Sequence, residues 1–117
     1  KVRSVPVTIG GNSYVPPIPV ENVVKENIDG IVASGNEPID IAIELCLYCM
    51  KTQIFIDGNK RASVLFANQY LIAHGQGFIV IPEKKVPEFK RLLVEYYEGA
   101  DISIIGAFLK DKCWKNF

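Results

Sequence analysis

The first residues of the chain have the hydrophobic and polar pattern of a β-hairpin. Val5 to Ile9 alternates in strand fashion, and Gly10 to Ser13 forms a turn cluster before Tyr14 and Val15. Three prolines between positions 16 and 19 then end strand pairing, because proline has no N–H group to donate to a β-ladder. We therefore expect a β-hairpin and a proline-rich turn over residues 1–19.

Residues 20–117 repeat apolar positions at helical spacing and predict a helical core. Ile39–Lys51 is apolar almost all round, which is typical of a helix buried in the middle of a fold, and Asn59–His74 is a second, mostly apolar helix. The other predicted features are a helix over Val20–Ala33, a cap at Asn36 with Pro38 in the first turn, a loop or short strand over Gln76–Pro82, a helix over Glu83–Glu98, and a last helix capped by Asp101. The predicted fold class is all-α, a helical bundle with one small β-hairpin near the N-terminus.

Length, composition and charge limit the classes of protein to consider. A chain of 117 residues, 49% of them hydrophobic, fits one globular domain over residues 1–117. Thirteen basic and thirteen acidic residues cancel, so charge points to neither a nucleic acid nor a membrane as partner. Since the sequence has neither a spanning apolar run nor a signal-peptide pattern, we expect a cytoplasmic protein. The chain starts at Lys1 and enters strand-like sequence at once, so we expect it to be a piece of a longer protein.

The three cysteines do not make a disulfide framework. Cys46 and Cys49 have the spacing of some metal and redox sites, but the sequence offers no second pair of ligands. Both lie inside an apolar helical pattern, so we expect buried thiols in the core.

The segment from Gln53 to Arg61 contains the residues of this sequence that suggest a binding or catalytic site. Asp57, Gly58 and Asn59 fall where a helix is predicted to begin, and two cations, Lys60 and Arg61, follow at once. The N–H groups and dipole of a helix start favour anions, and glycine lets the backbone approach a bound group closely. A carboxylate and a phosphate repel each other unless a cation lies between them. The segment therefore suggests a phosphate site with Mg²⁺ at Asp57. The alternative is a plain Asp-Gly turn with an asparagine cap and two solvated basic residues.

The same segment resembles the signature of the Fic/Doc family, written His-x-Phe-x-Asp/Glu-Gly-Asn-x-Arg. The matching residues are Phe55, Asp57, Gly58, Asn59 and Arg61. The opening residues 5–17 are similar to the flap hairpin of that family, and the resemblance extends from about Val5 to Trp114. It implies a helical core whose members mostly transfer AMP from ATP to a protein hydroxyl. It also implies Mg²⁺ at Asp57 and phosphates held by Gly58, Asn59 and the start of the helix, where Lys60 and Arg61 add charge-assisted donors. The flap residues Val7, Thr8, Ile9, Gly10 and Gly11 would dock the target protein as an added strand.

Three positions depart from the family pattern. Gln53 stands where the family has its catalytic histidine, and an amide cannot take up a proton near neutral pH as imidazole does. Lys60 resembles the Doc branch, whose members transfer a phosphate, and Val64 replaces a second arginine of the longer AMP-transferase signature. The lone His74 lies about 22 Å along the predicted helix from the motif and cannot replace the missing base.

These observations leave two classes of function open. The first is an enzyme of the family type, an adenylyltransferase or a Doc-like phosphotransferase, slowed by the missing base. The second is a catalytically silent nucleotide-binding or interaction module. In both we expect ATP and Mg²⁺ as ligands and a protein with a hydroxyl side chain as partner. The free edge of the flap is also open to another copy of this chain, as in a homo-oligomer.

Overall fold

The computed structural model describes residues 2–5, 7, 14–53 and 58–116. Its helices are α1 (Glu21–Val32), α2 (Pro38–Thr52), α3 (Asn59–Ala73), α4 (Val86–Tyr97) and α5 (Ile102–Phe108). A 3₁₀ turn (Glu83–Lys85) precedes α4, a π-helical turn (Leu109–Cys113) follows α5, and two short strands are β1 (Phe78–Ile79) and β2 (Trp114–Lys115). The predicted all-α architecture is confirmed. Most of the predicted hairpin, Pro6 and residues 8–13, lies outside the described residues.

Helix α2 forms the centre of the core, as its pattern predicts. It packs against α1, α3 and α5 and against the π-helical turn. Nine of the fifteen residues of α2 are buried: Ile39, Ile41, Ala42, Ile43, Leu45, Cys46, Leu47, Cys49 and Met50. Burial of these side chains supplies the main stabilising free energy of the fold, about 25 cal/mol for each Å² of apolar surface removed from water. The most extensive contact of α2 is with α3, and the segment that joins these two helices is the motif.

The helix ends follow the sequence signals with one correction. The N-cap of α2 is Glu37 and not Asn36, and Pro38 occupies the first helical position, where its missing N–H costs nothing. At α5 the expected cap is confirmed, because the Asp101 carboxylate accepts a hydrogen bond from the Ser103 N–H at 2.8 Å. Helix α3 ends before His74, and Gly75 follows with φ 66°.

The C-terminal residues form a strand that the sequence did not predict. β1 and β2 pair antiparallel, with Phe78 opposite Lys115 and Ile79 opposite Trp114. The Trp114 indole N–H donates to the carbonyl oxygen of Gln76 at 2.7 Å, which fixes the end of β2. A two-residue strand is too short to produce an alternating pattern of apolar and polar residues, so the sequence pattern does not indicate β2. The expected short strand within Gln76–Pro82 is confirmed as β1.

All three cysteines are free and buried, as expected. Burial raises the pKa of the Cys46 thiol to about 12 and that of Cys49 to about 11, so both stay protonated near neutral pH. Within the described ranges, no helix is both long enough and apolar enough to cross a membrane.

Candidate functional site

Gln53 ends α2 in an unusual backbone conformation. It is the C-cap residue, with φ 51° and ψ 60°, and its N–H donates to the Cys49 carbonyl oxygen at 3.2 Å. Among the described residues it is the sole non-glycine residue with a positive φ. Such left-handed backbone is costly for a residue with a Cβ, and it clusters at functional positions. The turn at Gln53 directs the chain away from α2 into the motif segment.

The side chain of Gln53 joins the two ends of the motif segment. Its Nε2 donates to the Met50 carbonyl oxygen, and its Oε1 accepts a hydrogen bond from Asn59 Nδ2 at 3.0 Å. Asn59 is 6% exposed, and its carbonyl oxygen accepts from the Ser63 hydroxyl at 2.6 Å. Positions 53 and 59, six residues apart in the sequence, are therefore in contact across the segment.

The start of α3 has the features of an anion site. Its N-cap is Gly58, with φ 69°, and within the described part of the chain no side chain caps this end of the helix. Its first turn contains no acidic residue, while Lys60 and Arg61 are exposed. The helix dipole and the two cations therefore act in the same direction and favour a bound anion. A Cβ at Gly58 would meet nothing within 4 Å, so glycine is required here for its conformation and not for space.

Arg3 is a residue of this region that sequence reasoning missed. Its side chain is buried, with 3% of the residue exposed. The guanidinium donates to the main-chain oxygens of Val5 at 2.9 Å, Pro17 at 2.9 Å and Thr52 at 3.2 Å, and to that of Gln53. No sequence signal marked this residue, because arginine side chains are ordinarily solvated.

Aromatic residues surround a lysine at the C-terminal end of α2. Lys51 Nζ lies 5.4 Å from the ring centroid of Tyr14 and 4.9 Å from that of Tyr96, both within the range of cation–π attraction. Tyr97 stacks on Tyr14 with ring centroids 6.1 Å apart, and 2% of it is exposed. Tyr97 is therefore a core residue, and Tyr96 lies at the rim of the core beside Lys51, which the sequence had not indicated.

The Tyr97 hydroxyl is buried and finds no hydrogen-bond partner in the described part of the structure. Burial raises its pKa, and the nearby amide of Gln53 lowers it by a smaller amount. Tyr97 is therefore a neutral phenol beside position 53 and does not supply a base.

The remaining predicted site residues divide into two groups. Asp57 and four of the five flap residues, Thr8 to Gly11, lie outside the described residues; Val7 is described and is half-buried. His74 lies at the far end of α3, where its Nδ1 is 2.8 Å from the Tyr70 carbonyl oxygen and its ring stacks on Tyr70. It lies at the opposite end of α3 from the motif, as expected from the sequence. The described residues contain no group of three or more His, Cys, Asp or Glu side chains that could hold a metal ion.

A groove of about 640 Å³ lies between α1 and α3, on a side of the motif helix that the sequence did not single out. Asn59 and Ser63 contribute to its wall, but most of the lining is apolar, including Val24, Ile28 and Phe66. Lys60 and Arg61 do not line it, and its charged lining residues, Glu21 and Lys25 of α1, have opposite signs, so this groove offers little to a phosphate.

Comparison with known proteins identifies one family. The Fic/DOC family model matches residues 1–71, which is more than half of the chain. The match includes Arg3, the predicted flap, Gln53, the motif and most of α3. None of the curated proteins compared with the chain matches it.

Proposed function

The chain belongs to the Fic/DOC family, and from this premise we propose that it binds ATP with Mg²⁺ at the start of α3 and resembles protein adenylyltransferases, with an activity reduced by Gln53. The general function of the family is the transfer of AMP or another part of a nucleotide. The single observation that carries the proposal is the contact between Gln53 and Asn59 beside the start of α3, where the N-cap residue is a glycine. It brings the position of the missing base next to the predicted phosphate site.

The residues at the start of α3 suit a polyphosphate. No side chain among the described residues caps this end of the helix, and its first turn has no carboxylate, so its dipole and N–H groups favour an anion. Lys60 and Arg61 are exposed and add two charge-assisted donors. Asp57 directly precedes Gly58 in the sequence and is the residue that would hold Mg²⁺. Bound there, the ion would neutralise negative charge on the phosphates during transfer.

Gln53 limits the chemistry of the site. Its Oε1 already accepts a hydrogen bond from Asn59, and a neutral amide does not accept a proton from a hydroxyl near pH 7. A missing general base lowers a rate by about 10² to 10⁴, whereas positioning and phosphate electrostatics remain. We therefore expect slow transfer to a protein hydroxyl, with the target held against the flap residues Val7 to Gly11.

Two alternative functions follow from particular residues. Lys60, exposed at the start of α3, favours a Doc-like phosphotransferase, in which the γ-phosphate and not AMP is transferred. Val64 is half-buried and packs against the main core, so position 64 supplies no cation to the phosphates. This loss favours the second alternative, a silent module that binds nucleotide without turnover.

The test is the substitution Gln53→His, with Gln69→His as matched control. Gln69 is exposed on α3 and lies two turns or more from the motif, so a histidine there adds the same side chain without reaching the site. Each protein is incubated in magnesium with α-labelled or γ-labelled ATP, alone and with lysate proteins, and ATP binding is measured separately by calorimetry. We expect Gln53→His to increase incorporation of the α-label by about 10² to 10⁴ and Gln69→His to leave it unchanged.

Other outcomes select the alternatives. A gain of γ-label and not α-label assigns the Doc-like reaction. If neither label increases although ATP binds, the silent module is the correct description. If the unmodified protein labels a target as fast as Gln53→His, then Gln53 does not disable the site and the proposal of reduced activity is wrong.

A further inference from the structure

Arg3 is a charged residue in a place where charge is expensive. With 3% of the residue exposed, its guanidinium has lost almost all contact with water. Buried arginines ordinarily pair with a carboxylate, yet every acceptor that the structure describes for Arg3 is a main-chain carbonyl oxygen. Four such acceptors use most of the five N–H donors of a guanidinium. A side chain bound in this way is part of the framework of the site and is not available to hold a phosphate.

The four acceptors belong to three separate parts of the chain. Val5 and Pro17 lie at the two ends of the segment that the sequence predicts to form the flap. Thr52 and Gln53 form the C-terminal end of α2, where the helix dipole presents partial negative charge to a cation. Arg3 therefore binds both ends of the flap segment to the residue at the position of the missing base.

We propose that Arg3 is a positioning residue, which holds the Gln53 backbone in its left-handed conformation and fixes the ends of the flap segment relative to position 53. The left-handed backbone at Gln53 is unfavourable by itself, and an interaction from outside the turn would stabilise it beyond the hydrogen bonds that Gln53 makes to Cys49 and Met50. Hydrogen bonds from a charged guanidinium to the Thr52 and Gln53 oxygens provide that interaction. Loss of one charge-assisted hydrogen bond changes an equilibrium by about tenfold or more.

A lysine at position 3 would keep the charge but not this geometry. The guanidinium is a planar fork with donors in fixed directions, whereas an ammonium group is a compact charge at the end of a flexible chain. Lysine reaches one or two of the four oxygens at a time, and glutamine offers two N–H donors and no charge. Loss of positioning should therefore increase from Arg3→Lys to Arg3→Gln.

The experiment compares these two variants with Arg91→Lys and Arg91→Gln. Arg91 is a suitable control, because its side chain is 60% exposed and its ion pair with Glu95 is a surface contact within α4. Two measurements by nuclear magnetic resonance report on position 53. They are the hydrogen exchange of the Gln53 main-chain N–H and the chemical shifts of the Gln53 and Asn59 side-chain amides, which meet in the folded protein. Exchange of the Leu71 N–H, in buried α3, reports on the stability of the whole fold.

In Arg3→Gln we expect the two side-chain amide signals to shift and the Gln53 N–H to exchange about tenfold faster or more, while the Leu71 N–H, which exchanges through unfolding of the whole fold, accelerates by no more than the Gln53 N–H. Arg3→Lys gives a smaller change in the same direction, and both Arg91 variants give none. Unchanged exchange and shifts at Gln53 would overturn the proposal. Faster exchange at Leu71 with unchanged side-chain amide signals of Gln53 and Asn59, or failure of both Arg3 variants to fold, would assign Arg3 to the stability of the whole fold and also overturn it. The inference rests on the proposed function in that position 53 is the site of the missing base. Since the measurement uses no nucleotide, the proposed role of Arg3 can fail while the proposed function holds, and the reverse is also possible.

Discussion

Replacing Gln53 by glycine and by alanine will give two proteins whose order of stability depends on one backbone conformation. At φ 51° and ψ 60°, a Cβ atom lies close to the following carbonyl oxygen, at a cost of about 1–2 kcal/mol that glycine does not have. Glycine loses more conformational freedom on folding, which offsets about 0.5–1 kcal/mol of this advantage. Both substitutions remove the same side-chain hydrogen bonds to Met50 and Asn59, so those losses cancel. We expect Gln53→Gly to be the more stable protein, by about 0.5–1 kcal/mol.

The matched pair is Gln69→Gly and Gln69→Ala. Gln69 lies within α3 and is exposed, and at an ordinary helical position glycine is about 0.8–1 kcal/mol less favourable than alanine. The order of the two variants should therefore reverse between positions 53 and 69. Urea unfolding followed by circular dichroism measures all four free energies, with linear extrapolation to zero denaturant. If Gln53→Ala is at least as stable as Gln53→Gly while the Gln69 pair has its expected order, Gln53 is not left-handed in solution. Its contact with Asn59 would then need another explanation.

Four further expectations address other parts of the chain. Asp57→Ala should weaken ATP binding more in magnesium than in EDTA, and equal calorimetric losses in both would remove Asp57 from the metal role. Thr8→Pro should reduce capture of a protein target without unfolding the domain, because proline removes an edge N–H; unchanged capture by the folded variant would exclude this edge as the docking surface. Gly77→Ala should lower the free energy of unfolding by roughly 1–3 kcal/mol more than Gly75→Ala. The reason is that a Cβ at Gly77 meets a main-chain oxygen of β2 at 1.9 Å, whereas one at Gly75 meets nothing within 4 Å; equal losses in urea would contradict the clash. Burial raises the pKa of Cys46 from its ordinary value of 9.0 to about 12, so the unfolded chain releases a proton that the folded protein keeps. Stability should fall as the pH rises from 9 towards 12, and Cys46→Ala should reduce that fall; an unfolding free energy that is constant over this range would contradict it.

The helices were predictable from the sequence because their patterns are long. Ile39–Lys51 and Asn59–His74 differ from α2 and α3 by at most one residue at each end. The helical pattern over Glu83–Glu98 could not indicate that its first turn is 3₁₀, since both helix types place apolar residues at similar spacing. β2 was missed because its two residues pair with a distant strand, and such pairing is a tertiary contact without a local signal.

The candidate site was predictable as a motif but not as an arrangement. Gly58, Asn59, Lys60 and Arg61 begin α3 as expected, and the structure assigns them different surroundings. Asn59 is buried against Gln53, whereas the two cations are exposed. Side-chain direction at a helix start depends on what packs beside it, so the sequence could not separate these residues. Arg3 was missed for a related reason, because its partners are main-chain oxygens, which every residue type presents.

The left-handed turn at Gln53 also has a genetic consequence. Histidine, like glutamine, is observed in this backbone region, and it is among the residue types enriched there. The codons for glutamine and histidine differ only in their third base, so one nucleotide change replaces the amide by an imidazole. Since the turn accepts either side chain, that change does not require the chain to fold differently. A protein with this backbone is one point mutation from carrying a general base, and a library of random single-base variants would contain that form.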